Sequence, residues 1–211
     1  MRIPSLLCAA LLAGANAQAQ AQEKNPWYIQ FGLGAVVTTD AEDVTGGSVG
    51  FDPGFATSIA VGRSYELDQR LTLDADAELL YQYFTVDEQD LGNIPSAVND
   101  DAKTFGLMLN GTLDWAFTPQ YSVYGGLGLG YAKEIEYSAW DSGNLNVKDS
   151  DGLAVQARLG LAYNLGGTYD VRFGYRFFKT ETIDIENTTT GEVDELDVSQ
   201  HALEAGFRWS L

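Results

Sequence analysis

Asp74, Asp76 and Glu78 occupy every second position within Leu71–Tyr83, and Arg172 and Arg176 stand four apart within Tyr169–Phe177. Even spacings keep each set on one side of an extended chain, whereas a helix would spread the three acids around its circumference. Arg158, Glu204 and Arg208 fall on the matching parity of two further segments. Converging charges of both signs can do two kinds of chemistry. They can line a gated or cation-preferring pore, or they can neutralise one another as a polar plug, because charges withdrawn from water need partners.

Other chemistries are excluded or weak. The chain has one His and one Cys, too few for a multi-histidine or cysteine-rich metal centre. Asp87-Glu-Gln-Asp90 and Asp149-Ser-Asp-Gly152 complete no EF-hand loop, so loose calcium or magnesium binding at acidic loops is the most they imply. Gly126-x-Gly128-x-Gly130 lacks the spacing and the following helix of a phosphate loop; it reads as small residues facing a crowded interior. No cofactor is expected. Thirty acidic against 12 basic side chains give a net charge of −18, which excludes nucleic acid as the main partner.

The elements that must position these charges all show a period of two. Apolar and polar residues alternate through Trp27–Val37, Phe55–Val61, Leu71–Tyr83, Phe105–Phe117, Tyr121–Tyr131, Leu153–Leu165, Tyr169–Phe177 and Leu203–Leu211. Short links near 66–70, 118–120 and 166–168 alternate with long polar loops at about 38–53, 86–102, 138–150 and 181–197. This pattern predicts an all-β fold, an eight-stranded antiparallel up-and-down transmembrane β-barrel. Its apolar faces carry more large side chains than so narrow a barrel could enclose, so they must point outward, into hydrocarbon. Aromatic residues gather at both ends of the strands, as interfacial girdles require.

Arg2, the apolar run Ile3–Ala15 and the small residues after it predict a secretory signal peptide over 1–21, with the barrel domain over 22–211. The run is too short for a permanent membrane helix.

Pro26-Trp-Tyr-Ile-Gln-Phe-Gly-Leu-Gly, Tyr124-Gly-Gly-Leu-Gly-Leu-Gly-Tyr-Ala and Phe173-Gly-Tyr-Arg-Phe-Phe, with the alternating close Phe207, Trp209, Leu211, carry a family likeness. The chain resembles the opacity-type, OmpA/OmpX-like eight-stranded outer-membrane β-barrel proteins over essentially all of its expected mature length. The resemblance implies a bacterial outer-membrane location and a monomer surrounded by outer-membrane lipid and lipopolysaccharide. Long acidic loops would meet the medium and contact host or cell-surface ligands. It implies a non-enzymatic structural or surface role, with a small cation-preferring pore as the alternative. A lipid A-modifying enzyme is a third reading, because Ser199 and His201 share the outward face of the last strand.

With the N-terminus at the short-turn side, strand 3 lies opposite strand 7. Asp74, Asp76 and Glu78 should then meet Arg172 and Arg176 across the lumen. Arg158, Glu204 and Arg208 should join them, with Gln30, Asn110 and Gln156 as hydrogen-bonding partners. A shape-fixing plug is the expected role of this network.

Overall fold

The computed structural model describes residues 26–39, 41–42, 48–90, 95–135, 145–149, 151–180, 183–187, 193–196 and 199–211. The expected signal peptide lies outside the described residues. Eight long strands follow in order: β1 (Trp27–Thr38), β2 (Ser48–Glu66), β3 (Leu71–Asp90), β4 (Pro95–Ala116), β5 (Tyr121–Ile135), β6 (Asp151–Gly166), β7 (Tyr169–Thr180) and β8 (Ser199–Ser210). Each pairs antiparallel with its neighbours in sequence. β1 pairs with both β2 and β8, so the sheet closes on itself and leaves no open edge. No helix among the described residues is long and apolar enough to cross a membrane.

The turn side is built economically. Asp68 Oδ1 accepts from the backbone N–H groups of Arg70 and Leu71 at 2.6 and 2.9 Å. Thr118 Oγ1 takes the same place for Gln120 and Tyr121, at 3.3 and 3.0 Å. These side chains satisfy turn N–H groups that the ladder cannot reach. Between β6 and β7 the chain reverses through Gly166 and Gly167 at φ 98° and 73°, the left-handed region that glycine enters without a Cβ penalty.

The opposite side corrects the expected loops. Much of 38–53 and 86–102 continues the barrel as strand: β2 starts at Ser48, β3 runs to Asp90 and β4 begins at Pro95. Three short strands, Leu145–Asp149, Ile183–Asn187 and Val193–Leu196, pair in a second small sheet. Strand pairing is driven by the backbone and does not need an apolar face. Beyond the hydrocarbon the alternation fades while the hydrogen-bond ladder continues.

The faces sort as the period of two requires. Leu127, Leu203 and Leu109 are 73, 71 and 67 % exposed, and the outer wall around them is apolar on every strand. At the turn side, stacked and tilted rings run from Trp115 through Phe117 and Tyr121 to Tyr163, with centroids 6.3, 6.2 and 4.9 Å apart. At the loop side Phe55 packs on Tyr81 and Tyr83 at 6.2 and 5.4 Å.

Inside, one feature departs from the expected lumen of small and charged residues. Val36, Ala56, Leu80, Met108, Ala132, Ala154, Phe178 and Ala202 form a buried apolar cluster, one residue from each of the eight strands. It is a ring across the lumen. Toward the turns lie the charges; toward the loops lie Thr38, Gln82, Thr104 and Gln200.

Candidate functional site

β3 presents Asp74, Asp76 and Glu78 to the interior, and β7 presents Arg172 and Arg176 from the facing wall. Asp74 and Glu78 are fully buried, and Arg176 retains 1 % exposure. Arg176 reaches across to Glu78, Nη2 to Oε1 at 2.6 Å. Its Nε lies 2.7 Å from Glu204 Oε1 on β8, an ion-pair contact in which the N–H does not aim along a hydrogen bond. Arg158 from β6 approaches Asp76 at 3.4 Å and Glu78 at 3.6 Å. Arg208 from β8 binds Asp74 at 2.6 Å, while Arg172 lies 3.5 Å from Asp74 and 2.9 Å from Asp114. The ion pairs make two groups, one of Asp76, Glu78, Arg158, Arg176 and Glu204 and one of Asp74, Asp114, Arg172 and Arg208, and Tyr28 joins them through Asp76 and Arg208.

Neutral groups complete it. Asn110 Nδ2 donates to Asp76 at 2.6 Å and to Glu78 at 3.0 Å. Gln156 Nε2 donates to Glu78 at 2.8 Å and to Asn110 Oδ1 at 2.5 Å, and its Oε1 accepts from Arg176 at 2.7 Å. The two amides meet over Gly128, which sits between them in register. A Cβ there would fall 2.7 Å from Gln156 Cγ, so the glycine keeps this crossing open. Gln30 makes no hydrogen bond to the cluster. It lines an adjacent cavity of about 10 Å³ with Thr112, Tyr124 and several of the charges, room for about one water.

Sequence reasoning missed several members. Tyr28 donates to Asp76 at 2.9 Å, and its ring lies under the Arg208 guanidinium at 3.6 Å. Tyr124 sits 4.9 Å from Arg172, and Ser64 donates to Asp74 at 2.6 Å. Their inward parity was the available signal. Asp114 was legible in the same way. Burying aromatic faces against guanidinium groups is a compact way to pack a charge that has few hydrogen-bond partners left.

The Ser199–His201 pair does not assemble as a dyad. Ser199 Oγ shares a 2.6 Å hydrogen bond with Thr39 Oγ1. His201 Nδ1 is hydrogen-bonded to the Tyr175 hydroxyl, and the ring packs against Phe177 at 5.4 Å. A base serving a serine nucleophile must lie within hydrogen-bond reach of it; both groups here are engaged elsewhere. Side chains of the acidic stretches at 87–90 and at Asp149 and Ser150 lie outside the described residues, as do Glu181 and Asp197. Among the described residues, no group of three or more His, Cys, Asp or Glu side chains is placed to hold a metal ion.

A family model described as the outer membrane protein beta-barrel domain matches residues 6–210. The chain belongs to this family. No curated protein matches its sequence. Among solved structures, this outer-membrane barrel is similar to OprG from Pseudomonas aeruginosa, with 15 % identity and a TM-score of 0.57 over 88 % of this chain and 96 % of that one. Neisserial surface protein A gives 17 % identity and 0.54 over 90 % and 100 %. The outer membrane protein AlkL gives 17 % identity and 0.52 over 93 % and 96 %. The outer membrane protease OmpT from Escherichia coli reaches 0.50 at 9 % identity, covering 91 % and 99 %. At these identities the likeness is one of fold, and the fold accommodates both enzymes and non-enzymes. The outer-membrane barrel identity agrees with the exposed apolar wall and places the protein in the bacterial outer membrane.

Proposed function

We propose that this barrel is a closed, non-enzymatic envelope protein, held by its apolar wall and presenting acidic segments to the medium. The observation that carries the reading is the filling of the lumen. An ion cluster spanning opposite walls and an apolar ring supplied by all eight strands lie one above the other. A narrow eight-stranded barrel needs only such side chains to block it. The engagement of Ser199 by Thr39 and of His201 by Tyr175 supports the non-enzymatic half of the reading. The acidic loop-side segments make adhesion or envelope integrity, through surface ligands, the role to test in cells.

Planar-bilayer recording tests closure. Wild-type barrel should give no steady single-channel current. A steady cation-selective current, abolished by Arg172→Ala or Arg176→Ala, would establish the pore reading instead. Unchanged lipid A acylation, read by mass spectrometry with and without the protein, is expected; deacylated product would return the enzyme reading.

A further inference from the structure

The outer wall is not uniform. Reading the registers of β7, β8, β1 and β2 across the lipid-facing side, Phe173, Ala205 and Leu33 form one row, and Leu203, Ala35 and Phe55 form the core of the next. Ala205 and Ala35 stand on a diagonal between larger neighbours. The result is an outward groove of about 680 Å³, walled by Phe173 and Phe55 and floored by the two alanines. The next row toward the loops contains His201, with the Tyr175 hydroxyl bound to its Nδ1. One step further, Lys179 stands opposite Ser199. An apolar trough on the hydrocarbon face thus lies one to two rows below a cluster of hydrogen-bonding and cationic side chains at the loop-side rim.

We infer that this groove and rim form a docking site for one outer-leaflet lipid that carries a phosphate headgroup, its acyl chain lying between Phe173 and Phe55 and its phosphate at His201 and Lys179. The site does not depend on whether the lumen conducts. Hydrocarbon surrounds the whole wall, so apolar area alone selects nothing there; shape fit and polar headgroup contacts must do it. The groove supplies the shape. The Tyr175 hydroxyl engages Nδ1, so Nε2 is the ring nitrogen left to meet a phosphate oxygen, as a donor in the tautomer protonated there. Lys179 adds a compact positive charge at a depth where headgroups begin. On the opposite wall, above Leu127 and Leu129 on β5, the Tyr131 hydroxyl is bound to the Asp151 carboxylate, a negative charge that disfavours a phosphate.

Native mass spectrometry of the full barrel, released from bilayers that contain lipid A with its phosphates, tests the inference. The wild type should retain one lipid A. Ala205→Phe and Ala35→Phe, each filling the groove and each leaving the wall apolar, should independently reduce retention about tenfold. Leu129→Phe on the opposite wall should leave it unchanged. His201→Ala with Lys179→Gln should lower retention of lipid A to that of its dephosphorylated form. Heat-modifiable gel migration checks that every variant is folded. Equal retention by the groove-filled variants overturns the site, as does equal retention of the two lipid A forms by the wild type. A dimer released in place of a lipid-bound monomer would mean that a second copy covers the groove. Displacement of the lipid by inorganic phosphate alone would reduce the site to an anion contact. Either result overturns the lipid assignment.

Discussion

On the turn side of the apolar ring, Glu78 meets Arg176, Arg158, Asn110 and Gln156. On the loop side, Gln82, four residues along the same face of the same strand, has no partner for either its amide nitrogen or its oxygen. Thr104, directly across from it, and the facing pair Thr38 and Gln200 each hold a buried unpaired oxygen as well. Below the ring, among the described residues, the unpaired atoms are the Thr112 hydroxyl and guanidinium Nε atoms of arginines whose Nη2 atoms are engaged. The difference follows from what each kind of group costs when buried alone. An uncompensated charge costs several kcal/mol, so each of the eight charges named in the cluster is tied to an opposite one. A lone amide or hydroxyl costs about 1–3 kcal/mol, which a barrel with a continuous ladder can carry. The turn-side half therefore specifies the barrel's internal geometry, and the loop-side half is its weaker half.

The sharpest way to break this contrast is Arg176→Met. It strands Glu78 and Glu204 without their strongest cation and should cost about 3–5 kcal/mol. The urea midpoint of the barrel in lipid bilayers, followed by tryptophan fluorescence, reads the loss; an unchanged midpoint would mean the cluster contributes nothing to specifying the fold. Combining it with Glu78→Leu should restore part of that stability, a coupling of about 0.5–3 kcal/mol.

A single substitution made in both halves is the cleaner comparison. Gln156→Leu removes hydrogen bonds to Glu78 and Arg176 and should destabilise by about 2–3 kcal/mol. Gln82→Leu removes two unpaired atoms and should stabilise by about 1 kcal/mol. The same midpoint measurement settles it: a like sign for the two would end the distinction between the halves. The smallest effect is expected from Thr104→Val, an isosteric loss of an unpaired hydroxyl, which should be neutral or stabilising by about 0.5 kcal/mol.

How much of this is readable in the sequence depends on the periodicity involved. A period of two is strict, so inward and outward faces followed from Leu71–Tyr83 or Tyr169–Phe177 alone, and Asp74, Asp76, Glu78, Arg172 and Arg176 could be placed together. Which residues share a level inside a barrel depends on strand tilt and stagger, and no strand carries that by itself. Leu80, Met108 and Phe178 therefore looked like isolated apolar intrusions on polar faces; the closed registers bring them into one ring. Tyr28 and Tyr124 fell on the inward parity, but parity does not say that their rings pack against Arg208 and Arg172. The strand extensions at Ser48–Pro53, Val86–Asp90 and Pro95–Ala102 gave no signal because their sequences do not alternate, and the backbone ladder that pairs them needs no alternation.

The ring also sets an aperture. Five of its eight members are alanine or valine, and only Leu80, Met108 and Phe178 project far toward the axis. Leu80 and Met108 come from adjacent strands and Phe178 from the facing wall, so the constriction is closed by a pair of jaws and not by an iris. An engineer who wished to convert the barrel into a conduit would shorten those three side chains at this level, and the resulting gap would be a slit.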